Sequence, residues 1–137
     1  MDRYVKNFIL ASMLYLVVAS VMGVMMAVDT RFIALKFIHS HFMLLGWVSM
    51  MIYGVGYHIL PRFSGRLIKS RLLGEVQFYL SNIGLIGLTL FYTLRQYNPE
   101  KTVYATLTSI SGFIEVFSLF IFFYNIAATM FAKEEEA

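Results

Sequence analysis

Four ionisable side chains lie inside long apolar stretches of this sequence, and their types could do chemistry. Three of them, His39, His41 and His58, are all the histidines of the chain, and the fourth is Glu115. Ionisable groups inside apolar segments are costly to bury and commonly mark functional sites. Imidazole is a good ligand for transition metals, and carboxylate also binds metal ions. All four residues are therefore candidate metal ligands, and the three histidines are candidate haem ligands.

The spacing of the histidines limits what they can bind together. His39 and His41 are two residues apart, which turns them by about 200° around a helix, so they cannot chelate one ion as a four-residue spacing would. One is expected to face the bundle interior, and the other a second ligand, a partner chain or a hydrogen bond; which one faces inward stays open. His58 lies roughly 28 Å along the helix axis from His39, too far for the same ion.

Glu115 lies in a polar stripe whose members alternate at spacings of three and four residues, as one face of a helix does. Such a face is expected to point into a bundle or a wet cavity rather than at lipid. By the helical rise, Glu115 lies roughly 20 Å and His41 roughly 14 Å from the starts of their helices, so the two could approach each other around a metal. The stripe consists of Thr108, Ser111, Glu115, Ser118, Phe122, Asn125 and Thr129.

Four apolar blocks must position these residues, each near or above the ~20 residues that cross a bilayer as helix. Inside lipid every backbone polar group has to be satisfied within its own segment, which favours helix. We predict helices at about residues 6–28, 32–60, 72–95 and 102–131, in one transmembrane domain over residues 1–137. The first run is too long for a signal peptide, so we expect it to be retained. Cysteine is absent, which excludes disulfides and thiolate metal sites.

Short connections join the blocks and make neighbouring helices antiparallel, so the predicted fold is an all-α, up-down-up-down four-helix bundle. The turns are Asp29-Thr30-Arg31, a basic loop at 61–70 and a turn at 96–101. We expect Pro61 to end the second helix and Gly65 to bend the chain. The excess of Lys and Arg at both termini and in the basic loop places the termini in the cytoplasm, in a bacterial inner membrane. The modest net charge of +3 does not indicate nucleic-acid binding, and the tail at 133–136 is expected to be solvated.

Small residues recur at helical spacing on two of the predicted helices. Such stripes let helix backbones approach closely in lipid, so they predict packing within the bundle, with the seam of a homodimer as the alternative. The stripes are Ser12, Ala19, Gly23 and Ala27 on the first helix and Gly74, Ser81, Gly84 and Gly87 on the third.

The second predicted helix resembles helix two of the catalytic subunit of the haem–copper oxidases and nitric oxide reductases. The resemblance covers residues 39–47 (HSHFMLLGW) and continues over residues 53–61 (YGVGYHILP). It extends to short membrane proteins grouped with that family and to the NnrS membrane haem proteins. In the large enzymes an early histidine of this helix is an axial ligand of the low-spin haem. The helix there ends in a Tyr-x-x-x-Pro-like pattern, which Tyr57 and Pro61 match.

The resemblance implies that His39 is a ligand of haem b, while a zinc or copper ion is the alternative cofactor. His39 shares a stripe with Gly46 and Tyr53, a glycine and an aromatic that leave room for a flat group. The large enzymes carry further metal ligands on later helices that this chain lacks, so one copy does not encode a complete oxidase centre. Whether the chain is an enzyme stays open. A second axial ligand would come from His41, His58, a small molecule, a homodimer or another membrane subunit.

Three functions follow from these patterns. The first is a membrane protein that binds haem or a metal and works in electron transfer, gas sensing or as an accessory to respiration. The second is a proton or ion conductor lined by the stripe of Glu115, with His41 as relay. The third is a structural subunit of a larger membrane complex, in which the buried polar groups serve only as bonds between helices.

Overall fold

The computed structural model describes residues 1–131, so the tail predicted at 133–136 lies outside the described residues. This part of the chain forms four helices and no strand, which confirms the all-α prediction. The largest departures from the predicted bounds, at the start of α1 and the end of α2, are about one helical turn. The helices are α1 (Arg3–Val28), α2 (Thr30–Phe63), α3 (Arg71–Tyr97) and α4 (Thr102–Met130).

Three of the helices in residues 1–131 are long and apolar enough to cross a membrane, which supports integration into a membrane. An 18-residue window within each has a mean hydropathy of 2.3 in α1, 1.4 in α2 and 1.8 in α4. Helix α3 has the length, at 27 residues, but Glu75, Gln77 and Asn82 make it less apolar. Large apolar side chains such as Leu14 and Phe113 are exposed on the outer faces, which fits contact with lipid.

Helix α2 is irregular. It begins as a 3-10 helix over Thr30–Leu35, continues as an α-helix over Lys36–His41, widens into a π-helix over Phe42–Ser49 and returns to α-helix over Met50–Phe63. The Ser49 hydroxyl donates to the carbonyl of Leu44 at 2.9 Å, five residues back. Wide π turns are rare and often lie beside functional sites. Here the π segment directly follows His41.

Pro61 does not end α2, contrary to the prediction, because the helix continues to Phe63. Proline lacks only one N–H donor, and in the last turn this removes a single helical bond. Gly65, at φ 63°, makes the stop. The N–H of Arg66 donates to the Pro61 carbonyl and the N–H of Gly65 to the Arg62 carbonyl. This pair of bonds is the Schellman arrangement, which needs a residue with positive φ and therefore favours glycine.

At the other end of α2, Asp29 alone separates the helix from α1. Its carboxylate accepts from the backbone N–H of Arg31 at 2.9 Å and from the Arg31 Nε at 2.7 Å. These bonds hold the pKa of Asp29 below its ordinary value. The predicted three-residue turn therefore consists of one extended residue, Asp29, which is held by its bonds to Arg31.

The bundle consists of two closely packed helix pairs, α1 with α2 and α3 with α4. Helices α1 and α2 are in contact along their length, and the beginning of α1 meets the later part of α2. A Cβ added at Gly54 would lie 2.8 Å from Ile9, and the rings of Phe8 and Tyr53 meet edge to face at 5.6 Å. An aromatic cluster links the two pairs, because Tyr53 also contacts Phe122 of α4 at 4.8 Å.

The pair formed by α3 and α4 depends on the predicted stripe of small residues. A Cβ added at Gly84 would lie 2.8 Å from the backbone nitrogen of Glu115, and Gly87 lies directly against the Ser111 hydroxyl. Gly74, on the same helix, meets the ring of Tyr4 on α1. The stripe therefore packs within the bundle, as the sequence predicted, because a larger residue would separate the backbones.

Candidate functional site

His39 lies against α1. Its Nδ1 is 2.8 Å from the carbonyl oxygen of Ala19, and its ring meets Gly23, where an added Cβ would be 3.1 Å from Cε1. A carbonyl oxygen only accepts, so Nδ1 carries the proton and donates. In the neutral ring Nε2 keeps its lone pair. Histidines that bind metals commonly donate their other ring N–H to a carbonyl in this way.

His41 has the same hydrogen-bond arrangement on a different side of α2. Its Nδ1 is 2.8 Å from the carbonyl oxygen of Phe37, one turn earlier, and its ring lies 4.0 Å from the Phe37 ring at 30°. Phe37 in turn stacks on Tyr92 of α3 at 3.6 Å and 10°. His39 therefore faces α1, whereas His41 faces the side toward α3, and the prediction that the two point to different faces is confirmed.

A groove lies between the beginning of α2 and the end of α3, and His41 is one of its walls. Its volume is about 550 Å³, and Phe37, Ser40 and Tyr92 line it with His41. Cofactor sites usually measure about 300–1,000 Å³ and have mostly apolar and aromatic walls with a few polar groups. Sequence reasoning missed the groove, although the spacing of Phe37 and His41, one helical turn apart, was a signal that the rings could meet.

The space over Gly46, where a flat group was expected, is filled by the chain itself. A Cβ added at Gly46 would lie 2.5 Å from the ring of Tyr15. Tyr15 also contacts Phe42 edge to face at 4.9 Å and donates from its hydroxyl to the Asn82 carbonyl oxygen at 3.0 Å. The flat partner of Gly46 is therefore a side chain of α1, which holds α1 close to the π segment.

His58 lies near the other end of α2 and has the opposite hydrogen-bond arrangement. Arg62 donates from Nη1 to Nδ1 of His58 at 2.8 Å. A guanidinium only donates, so this ring nitrogen accepts, and in the neutral ring the proton is on Nε2. The ring thus uses one nitrogen as an acceptor and has no lone pair at the other. This arrangement does not fit a metal ligand.

Glu115 lies at the contact between α4 and α3. It is 6% exposed, and it packs against Gly84 of α3. Its Oε2 is buried and has no hydrogen-bond partner among the residues that the structure describes. Buried polar atoms nearly always have a partner, and each exception needs an explanation such as water, an ion or a catalytic role.

The stripe of Glu115 is buried from Ser111 to Thr129, and two of its hydroxyls bond to carbonyls of α4 itself. The hydroxyl of Ser118 donates to the Glu115 carbonyl at 2.8 Å, and that of Thr129 donates to the Asn125 carbonyl at 2.6 Å. The prediction that this face points into the bundle is confirmed for its members from Ser111 to Thr129. Gln77 of α3 was missed in the sequence: it is fully buried, and neither amide atom has a partner within residues 1–131.

No group of three or more potential metal-binding side chains occurs in residues 1–131. No hydrogen bond or ion pair between His41 and Glu115 is found in this part of the chain, although the sequence suggested that they could approach. Zinc sites use three or four protein ligands, so a bare ion held by one chain does not fit these donors. Haem iron is held by only one or two axial ligands, and that number fits the histidines.

Comparison of the chain with protein-family models, with curated proteins and with solved structures finds no match. The resemblance of α2 to helix two of the haem–copper oxidases therefore stays an expectation from residues 39–47 and 53–61. The chain's own geometry offers three features: the histidines His39 and His41, each with Nδ1 protonated, an aromatic groove beside His41, and the buried carboxyl of Glu115.

Proposed function

We propose that this chain is a membrane haem-binding protein in which His41 is an axial ligand and the groove beside it holds the porphyrin. The observation that carries the proposal is the Nδ1 of His41 donating to a carbonyl while its ring lines a groove of about 550 Å³. A haem held there supplies one-electron transfer or binding of a small gas molecule. The aromatic walls, Phe37 and Tyr92, would orient the ring system by stacking and exclude water.

His39 is the second candidate ligand, because its Nδ1 donates to a carbonyl as that of His41 does. Since the two histidines face different sides of α2, both would not bind one iron from the same chain. The second axial position would be filled by a small molecule, by a partner membrane subunit or by a histidine of a second copy. A haem held by His41 alone would bind a small gas molecule there, whereas one that a second histidine also held would transfer electrons.

The test is the visible spectrum of protein purified from its native membrane, with elemental analysis of the same sample. We expect a Soret band and iron in stoichiometric amount, both lost in His41→Ala. If the band survives in His41→Ala and disappears in His39→Ala, the proposed ligand is wrong and the residue implied by the resemblance binds haem. Protein with zinc or copper and no Soret band, or with neither metal nor haem, would overturn the proposal.

We further propose that all four helices cross the membrane in alternating directions, with both termini in the cytoplasm of a bacterial inner membrane. The short connections and the excess of basic residues in the 61–70 loop support this orientation. The natural chain has no cysteine, so single cysteines can be introduced at Ser70, Asn98 and Asp2 and labelled from either side of intact cells. We expect Asn98→Cys to react from outside and the other two only after permeabilisation.

A second candidate function is proton transfer through the bundle, and the unpartnered Oε2 of Glu115 favours it. A buried carboxyl would exchange a proton with internal water at the centre of the membrane. In liposomes we expect a proton flux that disappears in Glu115→Gln. The matched control is Glu75→Gln, the same change at an exposed carboxyl of α3. Absence of flux in the wild type, or equal loss in both variants, would refute this function.

A further inference from the structure

The groove beside His41 continues into a polar end, which we call its mouth. Lys36 of α2 and Gln96 of α3 line the groove at this end. A second hollow, of about 420 Å³, adjoins the groove, since Tyr92 and Gln96 line both, and Arg95 also lines this hollow. Two cationic side chains, one from each helix, therefore flank the mouth.

The positive charges at the mouth have no counter-charge among the described residues. Neither the groove nor the hollow has an Asp or a Glu among its lining residues. Lys36 and Arg95 form no ion pair and no side-chain hydrogen bond with any residue in the described range 1–131. Asp29, the acid at the start of α2, is already paired with Arg31. The mouth therefore keeps two positive charges that an anion would neutralise.

The order of residues along the two helices separates the mouth from the aromatic part of the groove. On α2, Lys36 precedes His41 by five residues, roughly 7.5 Å along the helix axis. On α3, Arg95 and Gln96 follow Tyr92 by three and four residues, one turn nearer the end of the helix. Lys36 lies close to the start of α2, which is long enough to cross a membrane. The mouth is therefore nearer to the aqueous boundary than Tyr92 and His41 are.

Haem has the same division of chemistry within one flat molecule. Its ring is apolar apart from the iron, and its two ionised groups, the propionate carboxylates, project from one edge. An ionised carboxylate is costly to bury unless it is paired, whereas an apolar ring gains free energy from burial. One orientation in the groove meets both demands, with the ring beside the aromatic side chains and the carboxylate edge at the mouth.

We infer that Lys36 and Arg95 bind the two propionates of the haem and thereby fix the orientation of the porphyrin in the groove. The inference rests on the proposed binding of haem by His41. A guanidinium presents paired N–H donors to a carboxylate, and an ammonium adds a compact positive charge. Both side chains are exposed, so each pair contributes modestly and weakens at high salt.

The experiment compares haem with its dimethyl ester, which keeps the ring and the iron but has no charge on the propionate edge. Each compound is titrated into haem-free full-length protein in neutral detergent, and the Soret band measures binding. The variants are Lys36→Gln and Arg95→Gln. Their matched controls are Lys101→Gln and Arg3→Gln, the same changes at exposed positions that line neither the groove nor the hollow.

We expect the wild type to bind haem roughly tenfold more tightly than the ester, because only haem can pair with the two cations. Each of the variants Lys36→Gln and Arg95→Gln should bind haem roughly threefold more weakly and keep its affinity for the ester. The preference for haem over the ester therefore falls in these two variants. Both control variants should keep the preference of the wild type.

The outcomes separate this inference from the proposed function. If the wild type binds haem and its ester equally well, haem binding stands, but the propionates do not contact these cations and the inference is wrong. It is also wrong if variants and controls show the same preference. A variant that loses affinity for haem and ester alike would reveal a structural role for that side chain and would contradict its role as a propionate ligand.

Two further results are decisive. If only one of the two variants loses the preference, the other cation does not bind a propionate, and that half of the inference is overturned. If neither compound gives a Soret band with the wild type, the proposed function fails and the inference fails with it.

Discussion

The two ends of α2 carry the same chemical group in opposite states. At one end the Nδ1 of His41 donates to the Phe37 carbonyl, and the ring lies in an aromatic groove. At the other end the Nδ1 of His58 accepts from Arg62, and the ring lies in a basic cavity. The first arrangement leaves Nε2 as a lone-pair donor for a metal, whereas the second puts the proton on that nitrogen.

This difference shows that the neighbour of each histidine determines which ring nitrogen keeps its lone pair. A carbonyl one turn back fixes one tautomer, and a guanidinium one turn ahead fixes the other. The walls differ in the same sense. Aromatic rings line the His41 end, while arginine and lysine side chains line the His58 end.

The largest expected effect is the difference in haem content between the single variants His41→Ala and His58→Ala. His41→Ala should abolish haem binding, because it removes the donor atom, while His58→Ala should leave the Soret band per protein within about twofold of the wild type. The pyridine haemochrome of the purified variants measures this difference. Equal loss in both variants would break the comparison, since it would mean that either end, or the general fold, controls haem content.

The two buried amides should have opposite effects on stability. Asn125→Leu removes the two bonds between the Asn125 amide and the Ser70 backbone, and should lower the free energy of unfolding by about 2 kcal/mol. Gln77→Leu replaces two unpartnered amide atoms with an apolar side chain of similar volume. It should raise the free energy of unfolding by roughly 1 kcal/mol. Unfolding in mixed micelles with increasing denaturing detergent measures both. A destabilising Gln77→Leu would show that internal water or a ligand satisfies the amide.

The smallest expected effect concerns the wall of the His41 groove. Tyr92→Leu removes a groove wall that would stack on the porphyrin, and stacked aromatic pairs contribute about 0.5–1.5 kcal/mol beyond their buried area. Haem affinity should fall by roughly 3- to 10-fold. The control is Tyr79→Leu, the same change at an exposed position of α3 outside the groove. Equal affinities of the two variants would place the porphyrin elsewhere.

Helix positions and the inward face of α4 could be predicted because they depend on local patterns. The apolar blocks set the helix bounds, and the polar spacing from Ser111 to Thr129 identified the buried face. Pro61 was misjudged because a proline in the last turn removes only one helical bond, and Gly65 ends the helix instead. Gly46 was expected to leave room for a flat cofactor, but the sequence did not show that the ring of Tyr15 fills this space.

The sequence alone determined that this chain is a helical protein with three or more apolar segments suited to lipid. It also determined that the three histidines and Glu115 lie inside such segments. Composition and periodicity act within one segment, so they can be derived without a partner helix. Only the tertiary structure decided the tautomers of His39, His41 and His58, the groove at Tyr92 and the unpartnered atoms of Glu115 and Gln77. Those features depend on contacts between residues far apart in the chain, or on which side-chain rotamer brings two groups within 3 Å.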